Sequence, residues 1–304
     1  MAVIDKEFSK ICKEIFTNGK EYTNERRGVK RLQIPSYTFR YSFDNGFPAL
    51  TNKKLFLKSI VGELIWFLRG DNNTKYLYDN GISIWDGDAC NYFDKYHGLK
   101  FKTDLKDFQK IVKHYEVGQN YSVQWRNFNG NTDQIQELIS GMKADIMGSR
   151  LKVSAWNPSE LNKTALPPCH DGFQIIGVPL ENGEFGFELH WNQRSVDTFL
   201  GLPFNIASYA ILAKILEKIT GYKALGIEGT LKCVHFYDNQ YEAVRELLER
   251  NTDKHTNCKI ELSRRDKNSN IDVIFNALSI EDFKLINYAS DKAIKVDMLA
   301  PKKI

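Results

Sequence analysis

The sequence predicts an α+β fold in one continuous domain of 304 residues. Two observations carry this. Helix-period and strand-period segments are mixed without a regular βαβ alternation. No repeat, low-complexity tract or linker rich in Pro, Gly or Ser divides the chain. The least regular stretch, 87–116, is charged and aromatic and reads as an insertion with a short helix at 104–115.

The elements follow in order. Residues 4–18 put Ile4, Phe8, Ile11, Ile15 and Phe16 on one helical face. RLQIPSYTFRYSF alternates as strand does, and Pro35 marks an edge or a bulge. In 55–69, Leu57, Ile60, Val61, Leu64 and Leu68 fall at helical spacing, and Gly70-Asp71-Asn72 ends the helix. Residues 132–144 read as a helix capped by Thr132. LKVSAW, DGFQIIGVPL and GEFGFELHW read as strands, the last two joined by a turn at Asn182-Gly183. Residues 205–219 form a strongly apolar helix with Asn205 as its cap. GTLKCVHFY is a strand, and NQYEAVRELLER a helix after it.

Composition removes several classes. Apolar residues make up 42% and charged residues 26%, a globular profile, and no apolar run approaches the ~20 residues of a membrane span. The charged, amphipathic N-terminus does not read as a secretory leader. Five scattered cysteines without a CxxC argue against a disulfide framework or a zinc site, and point to a reducing cytoplasm. The net charge of +4 suits a small anionic substrate and is too small to argue for nucleic acid; no membrane partner and no metal is expected.

Four strings offer chemistry. In TALPPCH, Pro167 and Pro168 stiffen the backbone before Cys169, whose thiolate would be a nucleophile once a cation lowers its pKa. HWNQRSVDTFLGLPFNIASYA gathers Gln193, Arg194, Ser195, Asp197 and Asn205; Arg194 and Ser195 suit a phosphate, and the amide and carboxylate groups suit a heterocycle edge. In VHFYDN, His235 and Tyr237 share one strand face and suit ribose hydroxyls. Glu63 interrupts an apolar helix, where burial would raise its pKa for acid–base work. Each string also has a bland reading: an inert thiol, a solvated loop, a strand with one wet face, a surface glutamate.

Taken together the strings resemble the thymidylate synthase family, which includes deoxynucleotide hydroxymethylases. The order ELIWFLRGDNN, ISIWD, SRLKVSAWNP, ALPPCH, QRS-D and HFY is similar to the family's over most of 8–250, apart from 87–116. The resemblance implies that Cys169 attacks C6 of a pyrimidine nucleotide. Arg194 and Ser195 would hold its phosphate, with Arg194 also keeping the thiol ionised. Arg26 in NERRGVK would join from a phosphate-binding loop, and Arg150 in GSRLK from the neighbouring subunit of a sheet-to-sheet homodimer. His235 and Tyr237 would bind the 3′-hydroxyl, and Gln193 completes the nucleotide set. Glu63, Trp85 and Tyr121 would surround the one-carbon transfer centre. Asp197 would hold the pterin of 5,10-methylenetetrahydrofolate, with Trp85, Leu166, Gly201, Phe204 and Ile304 in the same cosubstrate set.

Asn205 would pair with the base. An amide can donate to O4 and accept from N3–H, the uracil pattern, whereas cytosine presents the reverse; a wrong edge leaves buried polar groups unpaired. dUMP is therefore favoured over dCMP, and methylation to dTMP is the expected outcome. Hydroxymethylation by water in place of hydride is the alternative. A dCMP hydroxymethylase and an inactive nucleotide- or RNA-binding homologue stand behind these two. A cysteine hydrolase pairing Cys169 with His170 is disfavoured, because strand neighbours point to opposite faces.

Departures from the family's pattern concentrate on the folate side. Leu151 stands for a second arginine, Phe56 for a histidine, and Lys232-Cys233 for a Gly-Asp; a second tryptophan after IWD is absent, and the C-terminus reads LAPKKI.

Overall fold

The computed structural model describes residues 2–24, 28–97, 105–250, 256–263 and 270–297. Helix α1 (Val3–Asn18) buries Ile4, Phe8, Ile11 and Ile15 as its spacing requires. Strands β1 (Lys20–Asn24) and β2 (Val29–Ser42) form a hairpin. Helices α2 (Leu57–Arg69), α3 (Lys75–Asp79), α4 (Asp86–His97), α5 (Leu105–Ile111), α6 (Tyr121–Arg126) and α7 (Gln134–Ala144) follow. The chain then alternates through β3 (Lys152–Ser154), β4 (His170–Pro179), β5 (Phe185–Gln193), β6 (Val196–Asp197), α8 (Gly201–Thr220), β7 (Lys223–Tyr237) and α9 (Tyr241–Glu249). β8 (Lys259–Leu262), α10 (Ile271–Ala277) and β9 (Phe283–Ile286) close it. The α+β expectation holds.

The main sheet runs β1-β2-β7-β5-β4-β3, with β6 beside the far end of β7. It is mixed: β5 and β6 lie parallel to β7, and the other pairs are antiparallel. Register assigns the two faces. Phe39, Gly229, Trp191, Phe173 and Val153 lie opposite one another across five strands, and the four with side chains are buried. Gly229 has to be small, since a Cβ there would lie 2.3 Å from the Trp191 ring. Trp191 stacks on Tyr209 of α8 with centroids 5.2 Å apart. One residue along each strand, the opposite face carries Arg40, Glu228, His190, Gln174 and Lys152 in a transverse polar row. α8 is apolar on most sides and is accordingly the central buried helix.

Several boundaries differ from those expected. The 132–144 helix starts at Gln134, and its cap is Asp133, which accepts from Gln136 N–H; Thr132 instead bridges Phe128. Asn205 lies inside α8, which begins at Gly201; Asp197 closes that end by accepting from Leu200 N–H at 3.0 Å. The described parts of 87–116 are more regular than expected, with α4 and α5 packed together through Phe93 and Phe108, and the helix expected at 104–115 spans Leu105–Ile111 among the described residues. Pro35 marks neither an edge strand nor a bulge: β2 is flanked by β1 and β7, its register with β7 runs unshifted from Ile34 opposite Val234 to Ser36 opposite Lys232, and β1 pairs only as far as Lys20 opposite Gln33, so Pro35 stands beyond it. No helix among the described residues is long and apolar enough to cross a membrane.

Candidate active site

Cys169 sits at the mouth of β4, half-buried, on a segment held at nearly every residue. The Pro167 carbonyl accepts from an Arg194 Nη at 2.8 Å, and the Pro168 carbonyl from Arg194 Nε at 2.6 Å. The Cys169 carbonyl accepts from Arg194 N–H at 2.8 Å, and Cys169 N–H donates to the Tyr121 hydroxyl at 2.6 Å. Arg194 is thus pinned twice through its guanidinium and once through its backbone, with Trp156 beneath it at 5.3 Å. These bonds hold the Arg194 guanidinium against the backbone just before Cys169.

β5 ends where Arg194 turns toward Cys169. One residue earlier, buried Gln193 accepts from Trp191 Nε1–H at 3.2 Å and donates to Asn205 Oδ1 at 3.1 Å. That bond fixes the Asn205 amide, whose NH2 is left to donate. Ser195 lies half-buried between Arg194 and β6, and its carbonyl accepts from Gln193.

At the end of β7, His235 and Tyr237 do project together, ring centroids 4.9 Å apart and nearly perpendicular. His235 Nδ1–H donates to the Cys233 carbonyl at 2.6 Å. Since a carbonyl only accepts, Nδ1 carries a proton. Cys233 adopts a left-handed φ of 46° to present that carbonyl. Asp197, opposite His235 in register, receives Gln240 Nε2 at 3.1 Å on each carboxylate oxygen.

Glu63 projects from α2, and Trp85 Nε1–H donates to it at 2.7 Å. Burial pushes its carboxyl up to about 7, and the Trp85 bond only partly offsets this. Phe67 and Tyr121 lie 4.9 Å apart, and Trp85 meets Tyr121 edge-on at 6.2 Å. Glu63 is therefore linked to Cys169 through Trp85 and Tyr121. Burial holds the Tyr121 hydroxyl well above its usual range, so it remains a neutral phenol. His170 stacks on Tyr121 at 4.2 Å and bonds the Tyr209 hydroxyl at 2.8 Å. Burial drives its pKa down to about 3, a poor base for a hydrolase pairing.

The structure brings together Glu63, Trp85, Tyr121, Cys169, Gln193, Arg194, Ser195 and Asn205, with Asp197, His235 and Tyr237 at the adjoining strand ends. Gly201 opens α8 between Asp197 and Asn205. Phe204 lines a slot with Phe56, Leu200 and Pro203, rimmed by Lys53 and Lys54. Leu166 packs against the core. Arg150 stands apart: it is exposed, and its side chain meets no polar partner among the described residues. Arg26 and Ile304 lie outside the described residues. Among those described, no group of three or more His, Cys, Asp or Glu is placed to hold a metal.

Sequence reasoning missed Gln240, Tyr209, Trp156 and Lys53. Lys53 is buried, donates to the Phe199 carbonyl and lies 3.8 Å above the Phe199 ring. Burial lowers its pKa to about 8, with the Asp197 charge opposing. Gln240 follows HFY by three positions, the one available signal; Tyr209 and Lys53 looked like an ordinary helix interior and an ordinary surface lysine.

The thymidylate synthase family model matches residues 6–300. A thymidylate synthase of Mycoplasma mobile is 39% identical over 300 residues, covering 95% of this chain and 98% of that protein. One from Malacoplasma penetrans is 38% identical over 297 residues, with the same coverage of both chains. One from Mycoplasma genitalium is 40% identical over 257 residues, covering 81% and 86%. The family match and the relatives make this chain an enzyme, a folate-dependent one-carbon transferase. It belongs to the thymidylate synthase family.

Proposed function

We propose that this enzyme methylates dUMP to dTMP, with Cys169 as the nucleophile. The observation that carries the reading is the immobilised pair of Cys169 and Arg194, the guanidinium spanning the Pro167 and Pro168 carbonyls. Uracil C5 is a poor nucleophile while the ring is conjugated. Addition of the thiolate at C6 places a negative charge on O4 and makes C5 enolate-like. Asn205, fixed by Gln193, donates its NH2 to that oxygen as charge develops. Glu63, with a pKa near 7, can both give and take a proton at working pH. Arg194 and Ser195 bind the 5′-phosphate, and His235 and Tyr237 the 3′-hydroxyl; Arg26 completes the phosphate site. Cys169 is released by elimination.

5,10-Methylenetetrahydrofolate supplies the one-carbon unit and the reducing hydride. The apolar slot lined by Phe56, Leu200, Pro203 and Phe204 offers a flat aromatic ring a face to stack on, and exposed Lys54 suits a carboxylate. Asp197, with Trp85, Leu166, Gly201 and Ile304, completes that set. We also propose a homodimer over the polar face of the sheet. Among the described residues no element covers that face, and the exposed Arg150 side chain meets no polar partner there.

Mass analysis of the product from dUMP and methylenetetrahydrofolate tests the reaction. A methyl product with dihydrofolate is expected; a hydroxymethyl product with tetrahydrofolate would make the enzyme a hydroxymethylase. A covalent ternary adduct with 5-fluoro-dUMP on Cys169 tests the nucleophile.

A further inference from the structure

We infer that α4 of the 87–116 insertion, together with the turn that follows it at 117–121, is a positioning element for Cys169, working through the carbonyl of Lys163; its bearing on turnover rests on the nucleophile reading above. Two donors converge on that carbonyl. The Tyr92 hydroxyl of α4 donates at 2.9 Å, and Gln119 N–H, just past the insertion, donates at 3.0 Å. Both lone pairs of the oxygen are then used. Ala165 N–H donates to the Val117 carbonyl at 2.9 Å, and Gly118 and Thr164 lie opposite each other as an antiparallel bridge. Lys95 Nζ donates to the Asn162 carbonyl at 2.9 Å.

The approach is close enough to need glycine. Gly118 has φ 71°, and a Cβ there would lie 2.0 Å from the Lys163 oxygen and 2.4 Å from the Tyr92 hydroxyl. The insertion is itself anchored: Gln109 of α5 donates to Asp86 at 2.6 Å, and Phe93 meets Tyr115 edge-on at 4.8 Å.

From Lys163 to Cys169 little freedom remains. The Thr164 hydroxyl donates to the Leu166 carbonyl at 3.2 Å, and two prolines with fixed φ follow. Three residues after Gly118 comes Tyr121, whose hydroxyl accepts the Cys169 N–H. The same excursion of chain therefore holds the nucleophile segment at its start and delivers the group that holds its end. The connection is mechanical, through backbone bonds, and no residue of the insertion needs to touch substrate.

Two variants of the full-length enzyme test this. Tyr92→Phe removes only the hydroxyl; Gly118→Ala presses on the same carbonyl. For Tyr92→Phe, kcat should fall about three- to tenfold with KM for dUMP within about twofold, and the pH profile of Cys169 alkylation by iodoacetamide should shift. Gly118→Ala should do the same more severely. Unchanged kcat and an unchanged alkylation profile in Tyr92→Phe, with only a lower melting temperature, would overturn the inference. Alkylation reads the thiol whether or not it is the nucleophile. An active Cys169→Ser enzyme would instead remove the nucleophile assignment and leave the alkylation test standing.

Discussion

Half-buried Glu63 and buried His170, both near Tyr121, pull stability in opposite directions as pH changes. Glu63 has a folded pKa of about 7 against an ordinary 4.5, so the folded protein holds a proton the unfolded chain has released. Its effect is to lower stability as pH rises from about 4.5 to about 7. His170 has a folded pKa of about 3 against 6.5, so the unfolded chain holds the extra proton. Its contribution is complete above about 6.5 and is lost as pH falls toward 3. Between about 4.5 and 6.5 the two slopes oppose each other. Urea unfolding of Glu63→Gln should therefore show stability rising with pH through that window, ending roughly 3 kcal/mol above the parent near pH 8. The same variant should lose most of its turnover. A parallel displacement of the stability curve at all pH values would contradict this account.

The elements that could be read from sequence were those whose own pattern decides them. Spacing located α1, α2 and α8, and Asn182-Gly183 located the β4–β5 turn, where Gly183 has φ 80°. The cap of α7 was missed by one residue because Thr132 and Asp133 are both good caps; only the geometry at Gln136 N–H selects Asp133. Asn205 was misread as a cap because its amide is engaged by Gln193, a contact between separate elements. The nucleophile string was legible, but the bonds that hold it come from α4, α6 and Arg194 just past β5, which no local pattern reveals. At this scale Asp133→Ala should cost about 1–2 kcal/mol, since the cap bond is lost and Arg126 loses one of its two carboxylate partners, the other being Asp272. Gly229→Ala should cost about 1–3 kcal/mol by forcing Trp191 off its place against Tyr209. Chemical unfolding of both variants checks these figures.

The whole molecule is a mixed sheet with helices on the face bearing Trp191 and a polar row on the other. One core cluster runs from Ala2 to Phe283. If two chains share sites across the polar face, inactive Cys169→Ala and inactive Arg150→Ala chains should recover activity when mixed. Random re-pairing gives one intact site in each mixed dimer, about a quarter of the parent activity. No recovery, with mixed dimers verified by mass, would show that Arg150 serves its own chain.

The fastened run from Lys163 to Cys169 bears on which electrophiles the sulfur will accept. A side chain whose main chain cannot swing meets its target along a narrow range of angles. Small planar Michael acceptors that can slide into that line should outpace bulkier haloacetamides of equal intrinsic reactivity, and an inhibitor would gain more from the right angle of approach than from a hotter warhead.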